Sequence, residues 1–206
     1  EVLNEIYDRH IAPSGTSLTK FLKDFERINE RLWDQYNKGE IDKDIIRNER
    51  FVKILAAADI DDHRLAASIS EFYLFECPRR THLMPGAIEM LDYVKEKYDL
   101  HILTNGFNDV QDIKVTQSGI RNYFKYIITS ESTGYKKPST EFFEYAFAAT
   151  QSSAQESLMV GDNLKTDIAG AHKVNMDSVY FNPSAYAKPH KANYEITTLD
   201  ELLTIL

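Results

Sequence analysis

A single cysteine, Cys77, in 206 residues leaves no partner for a disulfide within the chain. It also leaves no thiolate set for a structural metal, so a reducing compartment is expected. Eight glycines and six prolines fall far below the roughly one quarter that marks low-complexity chains. No apolar run approaches the ~20 residues of a membrane-spanning helix, so no membrane partner is expected. Positive charge is in short supply: 24 Lys and Arg stand against 32 Asp and Glu, a net charge of -8. That balance argues against a nucleic-acid groove, which needs clustered cations along a phosphate backbone. It leaves open a small anionic substrate held in a local pocket. The six histidines contain no pair at metal-ligand spacing, and His82, His101 and His172 read as structural or exposed. Glu1 to His10 is charged and helical in pattern, unlike a signal peptide, and a cytoplasmic protein is the expectation. Nothing in the sequence fixes an oligomeric state.

With 43% hydrophobic and 27% charged residues, the chain can bury one good core, or one core and a small accessory domain. Two textures meet near Pro78 to Pro85, predicting a helical domain over residues 1–82 and an α/β domain over 83–206. In the first, Phe21, Phe25, Ile28, Leu32 and Tyr36 recur at three- and four-residue spacing, one apolar stripe on a helix ending near Asn37-Lys38-Gly39. Ile45, Ile46, Phe51, Ile54 and Leu55 mark a second helix ending at Asp59. Leu65, Ile69, Phe72 and Tyr73 mark a third that stops before Pro78. Short turns between them make a small bundle. In the second part, strands are predicted at 101–104, 126–129, 158–160 and 178–181. Helical patterns alternate with them at 86–94, 110–117, 139–147 and 168–172, and 183–189 reads as loop. Alternation of this kind implies an α/β fold with a parallel, Rossmann-like sheet and helices on both faces.

Three of these strands end in polar residues of complementary type, and ligands of open α/β sheets bind beyond the strands' carboxyl ends. The first gives Thr104-Asn105-Gly106: a hydroxyl and two backbone N–H groups at a turn, able to hold phosphate oxygens. Standing alone, it reads rather as a simple Thr-Asn-Gly turn. After the second strand comes Lys136-Lys137-Pro138, with Pro138 fixing the backbone beside Lys137; a solvated surface lysine is the default reading of Lys136. The third strand runs into Gly161-Asp162, with Asp167 five residues on. A carboxylate beside a glycine suits a hard cation such as Mg²⁺, or simply starts a helix. A hydroxyl, an ammonium and two carboxylates at successive strand ends are a rarer coincidence than any one of them.

These residues resemble the haloacid dehalogenase-like (HAD) hydrolase superfamily, whose signature is four short motifs at four strand ends. Thr104-Asn105 matches the second motif, Lys137 before Pro138 the third, and Gly161-Asp162 with Asp167 the fourth, in order and spacing over Met84 to Ala171. The helical part then resembles the family's cap, of the C1 type, inserted between the first and second motifs. The wording Leu103-Thr104-Asn105-Gly106-Phe107, with a cap of this size, is similar to the pyrimidine 5′-nucleotidase branch.

The family's first motif, Asp-x-Asp-x-Thr, which carries the nucleophile and the general acid/base on the central strand, is absent. A near match, Asp59-Ile60-Asp61-Asp62-His63, follows a helical Ala56-Ala57-Ala58 run, lacks the Thr and reads as a turn between helices. The resemblance implies an N-terminal extension by a strand and a loop, on the order of 20–30 residues given strands of ~5–6. Without that central strand, two sheet edges and a slot in the core are expected to stay open, and a chain beginning at Glu1 should be unstable or a truncated form.

For the intact protein the resemblance implies Mg²⁺-dependent hydrolysis of a small phosphorylated metabolite through an aspartyl-phosphate on an upstream Asp. Asp162 would be a metal ligand. Asp167 would be either a further ligand or the partner that orients Lys137. Lys137 and Thr104, with Asn105 and Gly106, would hold the phosphoryl oxygens. Phe107 is a candidate substrate contact; Trp33, Tyr36, Phe72, Tyr73 and Phe75 are candidates too, though aromatics at helical spacing more often form core. The rival readings are a 2-haloacid dehalogenase on the same fold and a non-catalytic binding or regulatory protein that lost the nucleophile.

Overall fold

The computed structural model describes all of Glu1–Leu206 and divides into two compact units, Glu1–Arg80 and Thr81–Leu206.

The first unit is helical. Helix α1 (Val2–Ile6) runs on as a π-helical turn, Tyr7–Ile11, and is followed by α2 (Leu18–Asn37), α3 (Lys43–Ala56) and α4 (His63–Glu76). Each of the three long helices begins where a short polar side chain takes up otherwise orphaned N–H groups. Ser17 accepts from Lys20 N at 3.3 Å, Asp42 from Asp44 N at 3.0 Å and Ile45 N at 3.1 Å, and Asp62 from Leu65 N at 2.9 Å. Replacing such a cap by Ala costs about 1 kcal/mol. The α2 stripe is as the spacing predicts: Phe21, Phe25, Ile28, Leu32 and Tyr36 are all buried, each contributing roughly 1.5–3 kcal/mol of burial. α2 packs on α3 and α3 on α4. Between them Phe25, Phe51 and Tyr73 form an aromatic cluster with ring centroids 5.3–6.3 Å apart. The buried Arg50 guanidinium lies 5.1 Å from the Tyr73 ring, and burial pushes the Tyr73 hydroxyl up to about 12. Tyr36 and Tyr73 are therefore packing residues of this bundle, whereas Phe75 is 58% exposed. The Asp59–His63 segment is a turn between helices: Asp59 adopts φ 58° after α3, and Asp62 caps α4.

The second unit alternates as predicted. Its elements are α5 (Ala87–Val94), β1 (His101–Thr104), α6 (Asn108–Gln117), β2 (Tyr126–Thr129), α7 (Ser130–Thr133), α8 (Thr140–Thr150), β3 (Leu158–Gly161), α9 (Ala169–Lys173, preceded by a π-helical turn Leu164–Ile168), β4 (Asp177–Phe181) and β5 (Tyr194–Ile196). All strand pairs are parallel. They form two sheets rather than one, β1-β2 and β3-β4-β5. β1 thus pairs only with β2, and β3 only with β4. Val160 on β3 is 38% exposed, and every β1 residue is half-buried. Two open edges of this kind are what the sequence predicts for a sheet without its central strand. β5 was not expected; it adds a short strand to β4 through Val179↔Tyr194 to Phe181↔Ile196.

The core that supports the strand ends joins Ile128, Phe142, Phe143, Ala146, Met159, Ala171 and Met176, with Leu103 packed against it. A second cluster, Val179, Ile196 and Leu202, lies under β4 and β5. Gly170 is required by close approach: a Cβ there would sit 2.3 Å from the Phe143 ring and 3.3 Å from Pro138 Cα. Helix α9 is thereby packed directly under the segment that carries Lys137.

Candidate active site

Parallel pairing brings strand ends into step. Because Thr104 lies opposite Thr129, the residues that follow, Asn105 and Ser130, are neighbours, and Ser130 Oγ donates to the Asn105 carbonyl at 3.1 Å. Asn105 in turn reaches across 32 residues of sequence. Its Nδ2 donates to Lys137 O at 2.9 Å, and its Oδ1 accepts from Lys137 N at 2.8 Å.

The lysine this fixes is buried, 5% exposed. Its Nζ donates to the Leu103 carbonyl at 2.6 Å and meets Asp167 Oδ1 at 2.8 Å. Lys136, one residue before, is only half-buried. Removing an ammonium from water is costly unless it is both paired and hydrogen-bonded, and both conditions are met here. An ammonium carries three donors; the fold uses two and leaves one.

Asp167 is equally committed. Besides Lys137, its Oδ1 accepts from Thr166 Oγ1 at 3.0 Å, and its Oδ2 from Asn163 N at 3.2 Å. It is 5% exposed and lies against Gly161, where a Cβ would stand 2.4 Å from Oδ2. Only glycine at position 161 admits this approach. Of the two roles the sequence leaves open for Asp167, the geometry displays one: a carboxylate that holds Lys137.

Asp162, immediately beyond β3, is exposed and makes no hydrogen bond or ion pair within the chain. No group of three or more His, Cys, Asp or Glu side chains assembles into a metal site. One free carboxylate at a strand end is still a fitting donor for Mg²⁺, which keeps several waters and takes one or two carboxylates plus substrate phosphate.

Thr104 stands next to the carbonyl that Lys137 grips. Its Oγ1 accepts the Gly106 N–H at 2.9 Å, so the turn is closed by the hydroxyl oxygen, whose proton remains to donate. The Gly106 N–H, expected to bind phosphate, is thus engaged inside the turn. Phe107 is 4% exposed at the start of α6. Lys137 thus joins the end of β1, through Leu103 O, to Asp167, which packs on Gly161 at the end of β3. Asn105 and Ser130 are the members of this network whose side-chain roles the sequence reading missed. Neither sits in a recognisable pattern of its own; the pairing of β1 with β2 was the only signal that could have joined them.

A parallel α/β unit with a hydroxyl, a buried ammonium and carboxylates at successive strand ends has the layout of a HAD-type hydrolase. The model of the haloacid dehalogenase-like hydrolase family matches residues 25–181, and the chain belongs to that family. It is 32% identical over 187 residues to YfnB of Bacillus subtilis (strain 168), a HAD-hydrolase by name, across 88% of this chain and 78% of that protein. A crystal structure of YfnB described as bound to magnesium matches with a TM-score of 0.86 at 30% identity, covering 99% of this chain and 88% of the other. The pyrimidine 5′-nucleotidase YjjG of Escherichia coli (strain K12) is 26% identical over 196 residues, 94% of this chain and 85% of that protein. The L-2-haloacid dehalogenase of Xanthobacter autotrophicus shares the fold alone, with a TM-score of 0.75 at 15% identity, covering 100% of this chain and 92% of the other. No helix is long and apolar enough to cross a membrane.

Proposed function

We propose that the protein is a Mg²⁺-dependent phosphomonoester hydrolase acting on a small phosphorylated metabolite, with a pyrimidine nucleoside 5′-monophosphate as the first candidate. The observation that carries this reading is the buried Lys137 ammonium, held by Leu103 O and Asp167 beside the Thr104 hydroxyl. A positive group with one donor to spare, fixed in a water-poor setting, suits the spread-out negative charge of a transferring phosphoryl group. The relatives YfnB and YjjG support the class, and YjjG's name supports the candidate substrate.

In this reading Lys137 and the Thr104 hydroxyl donate to phosphoryl oxygens, and Asp167 keeps Lys137 aimed. Asp162 would hold Mg²⁺, whose chemistry is to neutralise phosphate charge so that an anionic nucleophile can approach. The nucleophile is taken to be an Asp preceding Glu1, forming an aspartyl-phosphate, with a second upstream Asp protonating the leaving alcohol and later activating water. The open edges of β1 and β3 support a strand carrying those residues between them. We assign substrate selectivity to the helical segment 1–82, as a cap. A cytoplasmic location forms part of the same proposal, supported by a chain whose only cysteine is Cys77.

Dehalogenation on this fold needs no cation and leaves Asp162 without a purpose, and a scaffold that had lost catalysis would have no use for a buried ammonium so held. The test is a screen of the full-length protein against phosphorylated metabolites with Mg²⁺ supplied, alongside 2-haloacids. Phosphate release that EDTA abolishes, and that Lys137→Ala lowers roughly 10²-fold or more, supports the phosphatase. Halide release that survives EDTA, or wild-type turnover by Lys137→Ala, refutes it.

A further inference from the structure

A lysine delivers its charge on four rotatable bonds, so a buried ammonium is only as well placed as the backbone that carries it. Here both ends of Lys137 are referred to the same strand end. The tip donates to Leu103 O, the last but one residue of β1, at 2.6 Å. The backbone is held two residues further on, by both polar atoms of the Asn105 side chain at 2.8 and 2.9 Å. Asn105 is itself fixed from the neighbouring strand, because the buried Ser130 donates to its carbonyl at 3.1 Å.

We propose that Asn105 is a positioning residue: its amide sets the Lys137 ammonium through the Lys137 backbone, instead of holding substrate itself. This deepens, and for its kinetic arm rests on, the phosphatase reading above. A side-chain amide offers one acceptor and two donors, and the Lys137 backbone matches it with one donor, its N–H, and one acceptor, its C=O. The match is specific for Asn. An aspartate keeps the acceptor and loses the donor to Lys137 O; an alanine loses both. With the clamp open, the Lys137 backbone is free to drift while its tip stays drawn to Asp167, and the ammonium leaves its productive position. A misplacement of about 1 Å costs on the order of 10²-fold in rate. The loss falls on turnover, since charge on the phosphoryl oxygens is met by Lys137 in the transition state.

The experiment uses the full-length protein, with Asn105→Ala, Asn105→Asp, Lys137→Ala and the double variant Asn105→Ala/Lys137→Ala. Asn105→Ala is expected to lower kcat about 10- to 10²-fold with KM little changed, and Asn105→Asp to fall between it and wild type. On the Lys137→Ala background, Asn105→Ala should cost less than about 2-fold, because no ammonium remains to be placed. Losses that multiply, or a raised KM with kcat intact, overturn the proposal in favour of direct substrate binding by Asn105. A second readout is independent of turnover. Amide hydrogen exchange at Lys137 should quicken in Asn105→Ala, which loses the acceptor of that N–H, and stay near wild type in Asn105→Asp, which keeps it, while the β1 and β2 amides keep their protection in both. Unchanged exchange at Lys137 in Asn105→Ala overturns the clamp. If wild type hydrolyses no phosphate ester, the functional reading falls alone, and the exchange data still decide the role of Asn105.

Discussion

Exchanging Asp167 for Asn keeps the outline of the side chain and removes the charge that pairs with Lys137. It also turns one accepting oxygen into a donor, so the ion pair is lost together with one of the carboxylate's hydrogen bonds. Nζ and Oδ1 are 2.8 Å apart, and the two side chains are only 7% and 8% exposed. Without the carboxylate, the ammonium keeps Leu103 O as its charge-stabilising partner, too little for a cation withdrawn from water. Leaving one member of a buried pair uncompensated costs about 3–5 kcal/mol. For a chain of this size that lowers Tm by roughly 6–20 °C, at about 2–4 °C per kcal/mol. The mirror variant, Lys137→Met, strands the carboxylate, but Thr166 Oγ1 at 3.0 Å and Asn163 N at 3.2 Å remain. Its loss should sit near the low end of that range, about 3 kcal/mol. Removing both charges together removes the penalty, so Lys137→Met/Asp167→Asn should be more stable than either single variant. The assay is urea unfolding of the full-length protein followed by far-UV circular dichroism. Trp33, the only tryptophan, lies in the helical unit, and its fluorescence would report that unit instead. Single losses that add to within about 0.5 kcal/mol in the double variant, or an Asp167→Asn loss below about 1 kcal/mol, would refute the account of the pair.

Gly161→Ala places a methyl 2.4 Å from Asp167 Oδ2 and 2.6 Å from its Cβ. It should cost about 1–3 kcal/mol and lower kcat by displacing the partner of Lys137; thermal melts and steady-state kinetics check both, and a variant with normal turnover would sink the argument. Gly170→Ala drives a methyl into the fully buried Phe143 ring, with an expected loss of about 1–3 kcal/mol in denaturant midpoint. If the midpoint does not move, the close packing of α9 beneath Pro138 is wrong. His101 has a buried Nδ1 without a hydrogen-bond partner, and burial pushes its pKa below the ordinary 6.5. The folded state therefore binds this proton less readily than the unfolded chain. Its stability is complete above pH 6.5 and is lost as the pH falls from there toward the lower folded value. His101→Phe should flatten that part of the pH–stability curve, and equal slopes in variant and wild type would refute it.

Much of the fold is local and so was legible. The stripe of Phe21, Phe25, Ile28, Leu32 and Tyr36 has helical spacing whatever it packs against, and it is the buried face of α2. The strands at 101–104 and 126–129 fall where short apolar runs precede turn residues. β5 escaped notice because Tyr194-Glu195-Ile196 has a single buried residue, Ile196, and no run to speak of. It is a strand only because β4 is there to pair with it. Phe107, taken from its position as a substrate contact, is almost wholly buried.

The sequence by itself determined that this chain is a helical segment joined to an alternating α/β one, and that Thr104 ends a strand while Lys137, Asp162 and Asp167 come after strands. Periodicity and turn chemistry act between near neighbours and leave their mark in the order of residues. Only the tertiary structure decided that Lys137 rather than Lys136 is the buried cation, that Asp167 spends its oxygens on the fold while Asp162 keeps its own free, and that Asn105 grips a backbone 32 residues away. Those are contacts through space, set by which strands align and how closely glycine lets them approach, and no local pattern of residues encodes them.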